Sequence, residues 1–385
     1  MTFQSRQPLA LQAAIVVFAA ITSAVLLTAP AIATRLAVEL GLNPEQIGNL
    51  FSIELGAMSL ATLPSFWWLK RVDCRRAALI AALLFIAGNL ASAATASHLP
   101  LAALRFVTAL AGGSLMVLCL SCAATLPNPS RAYGFWVLGQ LVLGAIGLSL
   151  LPRLFEAYGL GVGYLLLAAL TVLGLPLVRA FPTAYRAPER IARRGTASRW
   201  KVVAAILGLL GFYVALSAVW TFIGAIGAQA GLNAQASGDI LAIATLMGIA
   251  GAGCATLIGE RLPRTPLLCS GFGLMVAATL LLLDQPHLAR FAVAVLLFKF
   301  TWTYVLPFIL ASLVELDESG RLMSLSNLVI GAGLALGPAM AGRLLSDSGD
   351  FRSLLLAAGT LTTLSLLATL GSRLRPASLT TAQSL

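Results

Sequence analysis

Long apolar runs, separated by short polar segments, repeat along the whole 385-residue chain. A helix of about 20 mostly apolar residues is long enough to cross a membrane. A window of that length predicts twelve spans, at 10–32, 46–69, 77–96, 99–126, 132–152, 160–181, 200–227, 236–258, 266–284, 289–314, 323–345 and 351–371. Because only 10% of the residues are charged, a soluble domain built from this sequence would have too little polar surface. The sequence therefore predicts an all-α membrane protein.

The 25 lysine and arginine residues are distributed unevenly between the two sides of such a protein. With the N terminus inside, the outer segments hold only Arg35, Arg153, Arg290, Arg343 and Arg352. Two more basic residues lie within spans, and the other eighteen lie in inner segments, as the positive-inside rule requires. We therefore expect both termini to be cytoplasmic. Because the net charge of +11 reflects this topology, we expect the lipid bilayer as surroundings and no nucleic-acid partner.

The two halves of the chain match each other at a nearly constant offset. The pairs 190 residues apart are Arg71 and Arg261, Arg131 and Arg321, Gly147 and Gly337, and Arg153 and Arg343. A repeat that spans six helices keeps the same topology, so its axis lies along the membrane normal. The sequence predicts a six-helix bundle over 1–181, a basic cytoplasmic linker over 182–199 and a second, pseudo-symmetric six-helix bundle over 200–385.

The loop after the second span carries a recognisable motif. Residues 69–76 read Leu-Lys-Arg-Val-Asp-Cys-Arg-Arg, which resembles the pattern Gly-x-x-x-Asp-Arg-x-Gly-Arg-Arg/Lys of the major facilitator superfamily. Arg71 and Arg75 match that pattern, whereas Lys70 stands at its Asp position and Asp73 at its second Gly. The second-half copy keeps the acid, with Glu260, Arg261 and Arg264. Twelve spans, the parallel repeat and the basic central segment are also similar to this family.

The resemblance implies a secondary transporter that works by alternating access, rather than an enzyme, with no cofactor and no metal. It implies that Arg71, Arg75, Glu260, Arg261 and Arg264 form motifs that control conformational change. It also implies a monomer in a bacterial inner membrane. The fourth span begins Arg-Phe-x-x-Ala at Arg105, and the eleventh has glycines at 331, 333, 337 and 342, which are similar to glycine-rich stretches of the family.

Ionisable residues within spans are costly and usually functional. Glu54 lies about 8 residues into the second span and Arg105 about 6 residues into the fourth, both counted from the outer side, at about 1.5 Å per residue. Their similar depths allow an ion pair. Two interpretations stay open: the pair is a structural lock, or Glu54 is the carboxylate that carries the coupling proton.

Lys299 lies near the middle of the tenth span, with Trp302 three residues later on the same helix face. In the family this helix lines the central cavity. A cation beside an aromatic ring suits an organic anion, although Lys299 could instead pair with a distant carboxylate or a backbone carbonyl. Further candidates for substrate binding are Arg105, Gln140, Tyr213 and Trp220.

These observations predict a transporter of a small, anionic organic molecule, driven by protons as a symporter. The chain lacks the Gly-x-x-x-x-Gly-Lys-[Ser/Thr] loop that binds ATP phosphates. The nearest alternative is a proton-coupled efflux pump for amphipathic compounds, which the aromatic lining favours and the missing Gly-Pro signature of the fifth span disfavours. A third alternative is a sensor or assembly partner that transports nothing.

Overall fold

The computed structural model describes residues 6–185, 198–258, 261–316 and 321–373, which form helices joined by short turns and contain no strand. The helices of the first half are α1 (Arg6–Leu27), α2 (Ala29–Leu40), α3 (Pro44–Leu60), α4 (Thr62–Trp68), α5 (Cys74–Ala93), α6 (His98–Ala123), α7 (Pro129–Tyr158) and α8 (Gly161–Gly174), followed by a 3₁₀ helix (Leu175–Ala180). Those of the second half are α9 (Arg199–Gln229), α10 (Ala234–Ile258), α11 (Arg264–Leu280), α12 (Leu288–Leu316), α13 (Arg321–Ser348) and α14 (Phe351–Arg373).

Ten helical segments of the described chain are long and apolar enough to cross a membrane. They overlap ten of the twelve predicted spans. The other two predicted spans, 46–69 and 266–284, correspond to the broken pair α3–α4 and to α11, an apolar helix of 17 residues. Many outward-facing side chains are apolar, including Ile80, Leu173 and Leu367, as expected of helices in lipid. The count of twelve and the division into two six-helix bundles stay predictions.

The helix predicted at 10–32 extends further, to Leu40, and contains a break. Thr28 lies between α1 and α2, outside the helical hydrogen-bond pattern of both. Pro30 is the second residue of α2 and has no N–H, so the carbonyl of Leu26 lacks the donor that an unbroken helix would supply. The break therefore exposes one backbone acceptor in the interior of the protein.

The turn from α2 to α3 follows from local sequence. Gly41 ends α2 in the left-handed conformation, with φ of 61°, which glycine adopts without strain. Asn43 then caps α3 by accepting from the backbone N–H of Gln46, and the Gln46 side chain accepts from the N–H of Asn43 in return. Pro44 begins α3, where its missing N–H costs nothing.

Successive helices run in opposite directions, so the molecule has two ends. The basic end carries the loops 69–73 and 261–263 and the stretch 181–185. The junction end carries the turns at Gly41, Gly159 and Gly349. Between the halves, α3 packs on α13, α7 on α10 and α2 on α9. These three contacts bring residues of both halves together around the middle of the molecule and at the junction end.

Glycine permits the closest of these approaches. A methyl group at Gly48 of α3 would overlap the backbone carbonyl of Pro338 in α13. Nearby, Ser346 accepts a hydrogen bond from the backbone N–H of Glu45, with 3.1 Å between the atoms, and Arg343 lies 3.7 Å from the Glu45 carboxylate. The junction end is therefore closed by contact between the two halves.

Candidate functional site

Lys299 lies in the middle of α12 and is buried, with 2% of its surface exposed. Its Nζ lies 3.6 Å from the ring centroid of Trp220 and 4.1 Å from that of Trp302. Trp302 is one turn further along α12, whereas Trp220 comes from α9. Within the described parts of the chain, no carboxylate or hydrogen-bond acceptor pairs with this ammonium group. Lys299 is therefore a cation held between two indole faces.

Aromatic rings surround this lysine on two helices. The rings of Trp220 and Phe298 stack with centroids 6.4 Å apart, and the Trp220 and Trp302 rings meet edge to face at 5.9 Å. Tyr213, two turns before Trp220 on α9, places its hydroxyl by the Trp302 indole. Such pairs contribute beyond their buried area and fix ring positions. The predicted residues Lys299, Trp302, Trp220 and Tyr213 thus form one cluster.

The indole of Trp220 also reaches the first half of the chain. Its Nε1 donates to the carbonyl oxygen of Leu26, with 2.9 Å between the atoms. This carbonyl is the acceptor that Pro30 leaves without a helical donor. Leu26 was not among the predicted residues. Pro30, inside the predicted span 10–32, was the signal that could have indicated a free carbonyl there.

Gln140 lies on α7 and bonds within the first half. Its Nε2 donates to the hydroxyl of Ser23 and to the carbonyl of Ala19, both on α1. These contacts hold α1 against α7. The structure does not bring Gln140 into contact with the cluster around Lys299.

Glu54 and Arg105 form the ion pair that their depths allow. The Arg105 Nε lies 3.0 Å from Glu54 Oε1, and Nη2 bonds to the same oxygen. The remaining Arg105 donors reach Asn89 at 2.9 Å and Ser92 at 3.5 Å. Its guanidinium lies 4.8 Å from the ring centroid of Tyr164, which the sequence did not point to. The donors of Arg105 are thus engaged within the first half.

The predicted motif residues that are described lie at the basic end. Arg75 donates from Nε to the carbonyl of Phe181 at 2.6 Å, and Arg71 lies over the Trp67 ring at 4.7 Å. Arg264 pairs with Glu315, which also binds Arg373 at 3.0 Å.

Two further residues of these motifs complete the set. Arg261 is exposed in the loop before α11, and Glu260 lies outside the described residues. Asp73, at the second Gly position of the motif, caps α5 by accepting from the N–H groups of Arg75 and Arg76.

Comparison with known proteins agrees with this architecture. The family model of the Major Facilitator Superfamily matches residues 13–316. A search of curated proteins found no match. Solved structures of similar fold include the nucleoside transporter NupG (TM-score 0.75, 12% identity, covering 95% of this chain and 99% of that one) and a D-xylose-proton symporter (0.73, 12%, 94% and 96%). The peptide transporter POT is a third (0.73, 15%, 93% and 93%).

The chain belongs to the Major Facilitator Superfamily. It has the fold of that family's transporters and is a multi-pass membrane protein. At 12–15% identity the solved structures establish the fold alone. In the described residues, no group of three or more His, Cys, Asp or Glu side chains could hold a metal ion.

Proposed function

We propose that this chain is a secondary active transporter, not an enzyme, that moves a small organic anion across the cytoplasmic membrane by alternating access. Lys299 carries the proposal. A buried ammonium group needs a counter-charge or a polar partner, and none of the described residues supplies one. A carboxylate or similar anion between the two halves would supply that charge, and the indoles of Trp220 and Trp302 would contact its apolar part.

The contact between Trp220 and Leu26 supports alternating access around this site. The anion would bind to Lys299 in the second half, while the Trp220 indole touches the helix break of the first half. Movement of one half against the other then changes the surroundings of the bound anion. With the basic end cytoplasmic, as the distribution of Lys and Arg favours, the closed junction end corresponds to a cavity that opens inward.

We propose that protons drive transport and that Glu54 carries the proton. Its burial supports this role, because a carboxylate next to a cation in a dry interior responds strongly to any change in that partner. The other interpretation, a structural lock between Glu54 and Arg105, uses the same contact. Arg105 itself would bind substrate only after releasing Glu54, so we place it second to Lys299. Gln140 stays a weaker candidate for substrate binding.

The remaining parts of the proposal concern organisation. The chain would act as a monomer in the inner membrane, with both termini cytoplasmic and no nucleic-acid partner. Residues 1–181 and 200–385 would be the moving bundles, joined by the linker 182–199, most of which lies outside the described residues. The motifs around Arg71, Arg75, Arg261, Arg264 and Glu260 would control opening at the basic end.

A panel of ligands tests the substrate class on the purified protein. Organic acids should raise the thermal unfolding temperature, because a ligand at 100 times its Kd stabilises the folded state by about 2.7 kcal/mol. Amphipathic cations and neutral sugars should not. The response should disappear in Lys299→Gln and persist in Lys201→Gln, the matched control at the start of α9. A panel in which cations alone stabilise the protein would contradict the anion proposal.

A proton-coupled efflux pump for amphipathic compounds is the second candidate. The aromatic walls of Trp220, Phe298 and Trp302 favour it, since such rings bind apolar bodies of many shapes. Stabilisation by amphipathic cations that survives Lys299→Gln would support this candidate instead.

A further inference from the structure

A second cavity lies at the junction end, away from Lys299. It has a volume of about 430 Å³ and lies where α2 and α7 of the first half face α9 and α10 of the second. Its walls include Pro30, Thr34, Phe155, Gly224, Ala228 and Leu241. A cavity of this size, mostly apolar with a few polar groups, is typical of sites for small organic molecules.

Two polar side chains of this junction cavity lack partners. Gln235 donates from Nε2 to the carbonyl of Ser149 at 3.0 Å and to Asp239 at 2.8 Å, which leaves its buried Oε1 with no donor among the described residues. Ser237 is 4% exposed, and its hydroxyl has no partner among them either. Buried polar atoms are almost always hydrogen-bonded, so two orphans in one cavity indicate a missing ligand.

The charges around the cavity indicate what that ligand is. Arg35 lies at its wall, but its Nε is bound to Glu39 at 2.6 Å, so its charge is already matched. Glu156 also lines the cavity and has no ion pair with any described residue. The groups left without partners are therefore mainly acceptors, which suit a ligand that donates hydrogen bonds and carries positive charge.

We propose that the junction cavity binds small amphipathic amines. The ammonium group would donate to Gln235 Oε1 and lie in the field of Glu156, and the apolar body would pack on Phe155 and Leu241. The Ser237 hydroxyl is a further acceptor for such a group. This site is separate from the cluster around Lys299 and takes the opposite charge.

Because both halves line the cavity, an occupant acts on conformation. The amine would contact α2 and α7 on one side and α9 and α10 on the other, and these contacts exist only while the junction end is closed. A ligand that binds one conformation shifts the population toward it. Bound amine should therefore stop the transport cycle without competing for Lys299.

The probe for this site is 2-phenylethylamine, with 3-phenylpropanoate as an anionic control of similar shape. Calorimetry on the purified full-length chain should show saturable binding of the amine. Gln235→Leu should weaken that binding about tenfold, the usual effect of losing one charge-assisted hydrogen bond. Ala228→Phe, which fills the cavity and leaves Gln235 intact, should abolish binding, and it serves as the test if Gln235→Leu fails to fold. Lys299→Gln should bind the amine like the wild type.

Three results would overturn the proposal. Binding that is unchanged in both Gln235→Leu and Ala228→Phe would place the amine elsewhere. Loss of binding in Lys299→Gln would place it in the central cluster. Equal binding of 3-phenylpropanoate, abolished by Ala228→Phe, would show that the cavity does not select positive charge.

Discussion

Trp220 donates its indole N–H to the carbonyl oxygen of Leu26, and this carbonyl is the one that Pro30 leaves without a helical donor. One side chain thus touches Lys299 through its ring face and the other half of the chain through its edge. The helix break in α1–α2 and the lysine cluster are therefore one structural unit, and the first prediction concerns the bond between them.

Trp220→Phe should destabilise the protein by about 1–3 kcal/mol, because the Leu26 carbonyl loses its donor in the interior. Thermal unfolding in detergent measures this. Trp200→Phe is the matched control, since Trp200 is 81% exposed and its replacement should change little. If both variants unfold at the same temperature as the wild type, the bond contributes nothing.

Lys299→Met should stabilise the protein by about 1 kcal/mol or more while removing its response to organic anions. The cost of burying an ammonium group without a carboxylate exceeds what two aromatic rings return. Unfolding with and without an organic acid checks both parts. Lys201→Met should leave the acid response intact. A strongly destabilised Lys299→Met that keeps the acid response would contradict the assignment of this lysine to binding.

Glu54→Gln and Arg105→Gln should each destabilise the protein by about 3–5 kcal/mol, because each leaves the other residue as an uncompensated buried charge or donor. The double variant should cost less than the sum of the two. Unfolding of all three, compared as a double-mutant cycle, measures the coupling.

Transport by the same variants separates the two interpretations of Glu54. If Glu54 carries the proton, Glu54→Gln should lose uptake driven by a pH gradient but keep exchange of substrate for substrate. If the pair is only a lock, the double variant should retain gradient-driven uptake. Both assays use the protein in liposomes.

Gly48→Ala should open the junction end. The added methyl group would overlap the carbonyl of Pro338, so α3 and α13 must separate. A cysteine placed at Leu345, which is buried near this contact, should then react faster with a thiol reagent. Gly253→Ala is the control, because a methyl group there meets nothing within 4 Å. Equal labelling in the two backgrounds would show that the helices absorb the methyl group without opening.

Much of this fold follows from sequence because its signals are local. Apolar run length indicates the helices, and the three-residue spacing of Lys299 and Trp302 places both on one face. The pairing of Glu54 with Arg105 was accessible from their depths alone. These features depend on position within one helix or on a shared distance from one membrane surface.

Other features depend on how distant helices meet, which no local signal encodes. Trp220 and Lys299 are on different helices, and nothing in either segment indicates that the indole lies over the ammonium group. Tyr164 against Arg105 is a similar case. The break at Thr28 was partly visible in Pro30, whereas its consequence, a free carbonyl that takes a partner from α9, required the packed structure.

The position of Trp220 and Trp302 also gives the protein an internal optical reporter. The chain has six tryptophans, and the other four, Trp67, Trp68, Trp136 and Trp200, lie on helix segments toward the basic end. With those four replaced by phenylalanine, the remaining fluorescence would come only from the two indoles that contact Lys299. Its intensity and wavelength would then follow the charge and hydration of that lysine through each step of the cycle, with no dye attached.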